Sequence, residues 1–160
     1  MFKKILIANR GAIASRIVRA LHNMNVEAVV VYSEADKLSP YVKEADQAIA
    51  IGPAAPKESY LNMDVLIAAI KESGADGVHP GYGFFAENPV FADEVEAVGA
   101  KFIGPSTKWL KAMGHKTEAR ELMAKNGMAV GAGSDLLTEE AGMIAAANDI
   151  GYPVIVKPAA

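Results

Sequence analysis

The sequence predicts an α/β fold over roughly residues 1–110, a parallel sheet with helices on both faces. Two observations predict it. Short apolar, often β-branched runs alternate with segments whose apolar residues recur at helical spacing. Glycine and proline clusters punctuate the alternation where the chain must turn.

In chain order, Lys4 to Ala8 reads as a buried strand and Asn9-Arg10-Gly11 as a turn. Ile13, Ile17, Ala20, Leu21 and Met24 then form a helical stripe, with Arg16, Arg19, His22 and Asn23 on the opposite face. Val26 to Tyr32 is strongly β-branched and predicts a second strand, and Gln47 to Ile51 a third, ended by Gly52-Pro53. Met63, Leu66, Ile67 and Ile70 mark the next helix, with Asn62 as its N-cap and Gly74 as its stop. Asp76 to His79 is a short strand before the turn-rich Pro80-Gly81-Tyr82-Gly83. A helix opens at Asn88-Pro89, a cap followed by proline in the first turn, and buries Phe91, Ala92, Val95 and Val98 before Gly99 ends it. Lys101 to Ile103 is one more strand, closed by Gly104-Pro105. Helices are expected at about 106–112 and 116–126. A new unit follows: a strand at Met128–Val130, a helix from Thr138 to Ile150 capped by Thr138, and a strand at Pro153–Val156.

Composition narrows the function classes. The 160 residues are 51% apolar and 22% charged, an ordinary globular balance. The absence of cysteine excludes a disulfide framework, a thiolate metal site and a cysteine nucleophile. The net charge of −3, with scattered lysines and arginines, gives no basic run of a nucleic-acid binder. The apolar run Ile5–Ala8 is too short for a secretory signal or a membrane span, so the expectation is a cytoplasmic protein with no membrane partner. In a eukaryote the mitochondrial matrix would be the alternative, though no transit peptide is visible.

Three stretches stand out. The turn Asn9-Arg10-Gly11-Ala12-Ile13-Ala14 has one glycine where a dinucleotide-binding turn needs three, which argues against that cofactor. His79 to Phe84 lies at the C-terminal end of a strand, where open α/β sheets place ligand contacts, and Tyr82, Glu87 and Asn88 could project into a cleft. By residue type alone a structural turn with a buried histidine is the favoured account of it. Lys116 and Lys157 are candidates for neutralising phosphate, although by residue type alone both read as solvated surface lysines. His22, His79 and His115 are not at metal-ligand spacing, and no serine lies in a nucleophile elbow.

These stretches, taken together, resemble the biotin carboxylase family. The resemblance is carried by Lys4-Ile5-Leu6-Ile7-Ala8-Asn9-Arg10-Gly11 with Ile13-Ala14, then Ser59-Tyr60-Leu61-Asn62, then His79 to Phe84 with Glu87-Asn88. Phe102-Ile103-Gly104-Pro105, Met113-Gly114 with Lys116, and Gly151-Tyr152-Pro153 through Lys157 complete it in family order. It implies a Rossmann-like pre-ATP-grasp α/β domain at 1–110, connecting helices at 111–127 and the truncated start of an ATP-grasp lid at 128–160. It implies an enzyme in which ATP and bicarbonate give carboxyphosphate and the carboxyl group passes to biotin. ATP, Mg2+ and carrier-bound biotin are then the cofactors and substrates, and a biotin carboxyl carrier domain and a carboxyltransferase component the partners. Lys116 and Lys157 match the two lysines that contact the nucleotide; Tyr82, Gly83, Glu87 and Asn88 match the loop at the biotin and bicarbonate side; the helix with Arg16 and Arg19 matches one used in homodimer contacts.

The sequence departs from the family pattern at His115, where an acid is common, and the histidine is expected to add positive charge beside Lys116. Ala12 and Asn23 replace common acids, and Gly131-Ala132-Gly133 replaces a proline-containing stretch. The family's glycine-rich loop, metal-binding glutamates, general base and biotin-facing arginine are not found among the 160 residues. The chain is therefore expected to be an N-terminal fragment that by itself neither carboxylates biotin nor holds ATP tightly, with no catalytic or metal-binding residue of its own. The alternatives are another ATP-grasp ligase and a non-catalytic stand-alone binding module.

Overall fold

The computed structural model describes residues 1–114 and 116–157, with the side chain of Lys116 outside the description. His115 and its expected effect on nucleotide affinity lie outside the described residues, as do Pro158, Ala159 and Ala160. The chain divides into two compact units, Met1–Thr107 and the residues from Lys108 onward.

The first unit is a five-stranded parallel sheet: β1 (Lys4–Ile7), β2 (Glu27–Tyr32), β3 (Gln47–Ala50), β4 (Gly77–His79) and β5 (Lys101–Phe102), in the order β3-β2-β1-β4-β5. The crossovers carry α1 (Gly11–Asn23), α2 (Pro40–Glu44), α3 (Met63–Ser73) and α4 (Pro89–Ala97). Side chains of a strand alternate between faces. Ile5 and Ile7 of β1 and Ala28 and Val30 of β2 accordingly join Ala14, Val18 and Leu21 of α1 and Tyr41 of α2 in one core layer. Leu6, Val29 and Val31 face the other way and are fully buried, on the side where α3 packs on β2 and α4 on β5. The central strands are thus apolar on both faces, as a covered parallel sheet requires.

The local signals act where they were expected. Asn62 Oδ1 accepts from Val65 N at 3.4 Å and Asn88 Oδ1 from Phe91 N at 3.0 Å, so each caps its helix. Gly74 closes α3 with φ +64°, a conformation in which a side chain would be strained. The short helix α2 and the one-turn helices at 34–36 and 56–58 were not foreseen. They are too short to build a periodic apolar stripe.

Beyond Thr107 the chain forms α5 (Thr107–Gly114), α6 (Lys116–Lys125) and α7 (Glu140–Ile150). The strands expected at Met128–Val130 and Pro153–Val156 do not form among the described residues. Apolar β-branched residues make a strand only where a neighbour accepts the backbone hydrogen bonds, and here Ile155 and Val156 are 84% and 82% exposed. Thr138 does not cap α7: Glu139 precedes its first turn, without a side-chain cap.

Two carboxylates fasten strand starts at the N-terminal edge of the sheet. Asp76, just before β4, accepts from Lys3 N at 2.9 Å and Lys4 N at 3.0 Å. Asp46, just before β3, accepts from Ala28 N at 2.8 Å, and His22 Nε2 lies 2.9 Å from the same oxygen. Burial opposes ionisation of Asp76, but the two backbone donors outweigh it and hold its pKa below the usual value. For Asp46 the Ala28 N–H is the leading cause of the same downward shift. A folded pKa below the unfolded one contributes stability that is complete above about pH 4 and lost as the pH falls through the folded value. The melting temperature is therefore expected to hold between pH 7 and 5 and to drop below about pH 4. Asp76→Asn should flatten that drop; a variant melting curve that falls as steeply as the parent's would refute the role given to Asp76.

Candidate functional site

In the order β3-β2-β1-β4-β5 the chain reverses direction of winding between β1 and β4. The loops leaving the C-terminal ends of those two strands diverge there, and ligands of open α/β sheets bind in the crevice they leave. The two loops are Asn9-Arg10-Gly11 and the stretch from His79 to Asn88. The sequence stretch singled out for its glycines and tyrosine thus stands at the topological switch point.

The loop after β4 is built from the loop after β1. Asn9 is 1% exposed, and its side-chain N–H groups donate to Pro80 O at 2.8 Å and Tyr82 O at 2.9 Å. Its Oδ1 accepts from Arg10 N at 2.9 Å. Two carbonyls on one side and an N–H on the other define the orientation of the amide. Gly81 and Gly83 have φ of +67° and +69°, and Phe84 has φ +43°. The left-handed region costs a residue with a side chain about 1–2 kcal/mol, so Phe84 must be held there by its surroundings. Its ring stacks on Tyr60 with centroids 5.2 Å apart and planes within 8°.

Behind that stack lies a partly buried polar network. Asp36 Oδ2 accepts from Tyr60 Oη at 2.7 Å, Ser33 Oγ at 3.1 Å and the Arg10 guanidinium at 3.3 Å. Burial opposes ionisation of Asp36, but these three donors and the charge of Arg10 hold its pKa below the usual carboxylate range. Tyr60 Oη accepts from Ser33 N at 2.9 Å and lies 3.1 Å from Tyr41 Oη, which also reaches Val31 O at 3.2 Å. Burial first, and then its neighbours, push the Tyr41 phenol far up, so both it and Tyr60 are neutral donors at physiological pH. The Arg10 guanidinium carbon stands 5.5 Å from the Tyr60 ring centroid and 6.0 Å from that of Phe84, within cation–π range.

Tyr82 is 72% exposed at the tip of the loop, and Gly83 and Glu87 are exposed beside it. Asn88 does not project freely, because its side chain is committed to capping α4. His79 Nδ1 accepts from Gly81 N at 3.0 Å, which puts the proton of the neutral ring on Nε2. Burial lowers its pKa, so the histidine acts as a neutral turn-former. Arg16 and Arg19 are exposed on α1. Arg16 lines an open concavity of about 390 Å³ together with Ala12, Ile13, Ile17, His79 and Tyr82, so it stands beside the loop rather than on a separate surface. Lys116 begins α6, and Lys157 is exposed on an extended segment of the second unit. Sequence reading missed the roles of Asp36 and Tyr41 altogether. Tyr60 and Arg10 were noted only as parts of longer stretches, because nothing local announces a partner 24 or 26 residues away.

Residues 1–110 match the family described as the biotin carboxylase N-terminal domain. The chain belongs to that family. Residues 115–160 match a second family, the ATP binding domain of the carbamoyl-phosphate synthase L chain. Among curated biotin carboxylase relatives, Biotin carboxylase 1 of Bacillus subtilis is 48% identical over all of this chain and 36% of its own length. The biotin carboxylase of Pseudomonas aeruginosa is 43% identical over 99% of this chain and 36% of its own. The Campylobacter jejuni biotin carboxylase, solved as a β-γ-ATP complex, superposes with a TM-score of 0.90 at 44% identity, covering 96% of this chain and 34% of that one. The biotin carboxylase domain of Hydrogenobacter thermophilus 2-oxoglutarate carboxylase was solved as a dimer with MgADP, ADP and bicarbonate. It superposes with a TM-score of 0.89 at 42% identity, covering 96% of this chain and 34% of that one. The chain spans about one third of the length of these biotin carboxylases. The switch-point loop and its polar support lie within the region that defines the family.

Proposed function

We propose that the full-length protein is an ATP-dependent biotin carboxylase, in which ATP activates bicarbonate as carboxyphosphate and the carboxyl group passes to a ureido nitrogen of biotin. The observation that carries this reading is the family match over residues 1–110 joined to a loop that presents Tyr82 at the switch point of the sheet. Residues 1–110 form the N-terminal α/β domain, 111–127 the connecting helices and 128–160 the start of the lid over ATP. Lys116 and Lys157 both fall in the stretch matching an ATP binding domain, and we assign them to the nucleotide phosphates. Tyr82, Gly83 and Glu87 border the biotin and bicarbonate side of the cleft, with Asn88 fixing the direction in which the loop rejoins α4. Arg16 and Arg19 lie on the face used for a homodimer.

Among the described residues no three side chains gather that could hold a magnesium ion. By the resemblance its ligands are glutamates in the part of the relatives that this chain does not span. Among the described residues no helix is long and apolar enough to cross a membrane. We place the protein in the cytoplasm, serving an acyl-CoA, pyruvate or urea carboxylase through a carrier domain and a carboxyltransferase. The match of residues 1–110 to the biotin carboxylase N-terminal domain favours this over another ATP-grasp ligase.

The test is ADP release by the full-length protein with bicarbonate present. Slow release that free biotin accelerates is the expected result. Release indifferent to both bicarbonate and biotin would refute the proposal.

A further inference from the structure

We propose that Arg10 is a positioning residue for the loop that carries Tyr82: its guanidinium, held by Asp36, secures the Tyr60–Phe84 stack and so maintains the left-handed backbone on which Tyr82 is presented. The inference rests on the proposed placement of that loop at the biotin side of the cleft.

Asn9 and Arg10 grip the loop by two separate routes. The Asn9 amide binds the backbone on either side of Gly81, at Pro80 O and Tyr82 O. The Arg10 side chain reaches the far end of the same turn, at the ring of Phe84. Of the left-handed residues there, Gly81 and Gly83 adopt the conformation without penalty. Phe84 does not, so its geometry persists only while its ring is held. The ring is held by Tyr60, whose hydroxyl donates to Asp36, and Arg10 bridges Asp36 to both rings. A planar guanidinium suits this place because it can lie against aromatic faces while pairing with a carboxylate, which a lysine ammonium does less well. The Arg10 side chain is 44% exposed, so its replacement opens no cavity in the core.

Arg10→Ala and Arg10→Lys in the full-length protein test the inference through amide hydrogen exchange and steady-state kinetics. In Arg10→Ala the amides of 81–87 are expected to exchange roughly tenfold faster while those of Ile5–Ile7 stay as they were. The Michaelis constant for free biotin should rise roughly fivefold with that for ATP within about twofold, and Arg10→Lys should fall between parent and alanine variant. Arg10→Gln replaces Arg10→Ala if the latter does not fold, with the same outcomes read. Unchanged loop exchange would overturn the clamp, as would equal acceleration in loop and strand, which marks a general loss of stability. Faster loop exchange with an unmoved biotin constant would overturn the functional half by removing the loop from the biotin side. A parent protein without biotin-stimulated ATP hydrolysis would instead refute the proposed function, leaving the exchange data to judge the clamp.

Discussion

Replacing Lys157 with glutamine in the full-length protein should raise the Michaelis constant for ATP roughly tenfold or more, and Lys116→Gln should do the same. Losing a charge-assisted hydrogen bond to a phosphate costs about 1.5–3 kcal/mol, and each 1.4 kcal/mol or so is a factor of ten. Glutamine keeps the reach and a donor but removes the charge, so the loss reports neutralisation rather than shape. If the contacts persist unchanged into the transition state, kcat falls little and the effect appears in KM. Lys157 is exposed, so its replacement is not expected to lower the melting temperature and confuse binding with folding. Unchanged constants for ATP in both variants would remove the lysines from the nucleotide site.

A large stability loss is expected at Gly81. A Cβ placed there would stand 2.7 Å from Asn9 Nδ2 and 2.8 Å from Ile13 Cγ2. Neither neighbour can withdraw cheaply: Asn9 is held by two hydrogen bonds to the loop, and Ile13 sits within α1. The left-handed backbone adds about 1–2 kcal/mol and the overpacking about 1–3, so Gly81→Ala should cost about 3 kcal/mol and lower the melting temperature by roughly 10 °C. Gly83→Ala is the control, because it shares the backbone conformation but has nothing within 4 Å of the added carbon. It should cost only about 1 kcal/mol. Equal losses at the two positions would show that Asn9 and Ile13 give way to the added carbon.

These two residues also mark where local and distant information part. Glycine at 81 and 83 announces a turn from the sequence alone, but only Asn9 and Ile13, far earlier in the chain, leave no room for a side chain at one of the two. In the same way a cysteine-free, mildly acidic composition excluded whole classes of function without choosing one. The choice came from motifs in family order and was then supported by the match over residues 1–110.

By itself the sequence determined the alternation of strands and helices in the first unit, the caps at Asn62 and Asn88, the stop at Gly74 and the loop in which Tyr82 sits. Each depends on residues a few positions apart, where periodicity, side-chain capping and glycine's freedom act directly. Tertiary structure alone decided the order of the strands, and with it that the loops after β1 and β4 meet at one crevice. It also brought Arg10, Asp36, Tyr60 and Phe84 together, and left the apolar runs at 128–130 and 153–156 out of any sheet among the described residues. The physical reason is the same in each case. A strand, an ion pair or an aromatic stack is completed by a partner distant in sequence, and propensity describes only one side of such a contact.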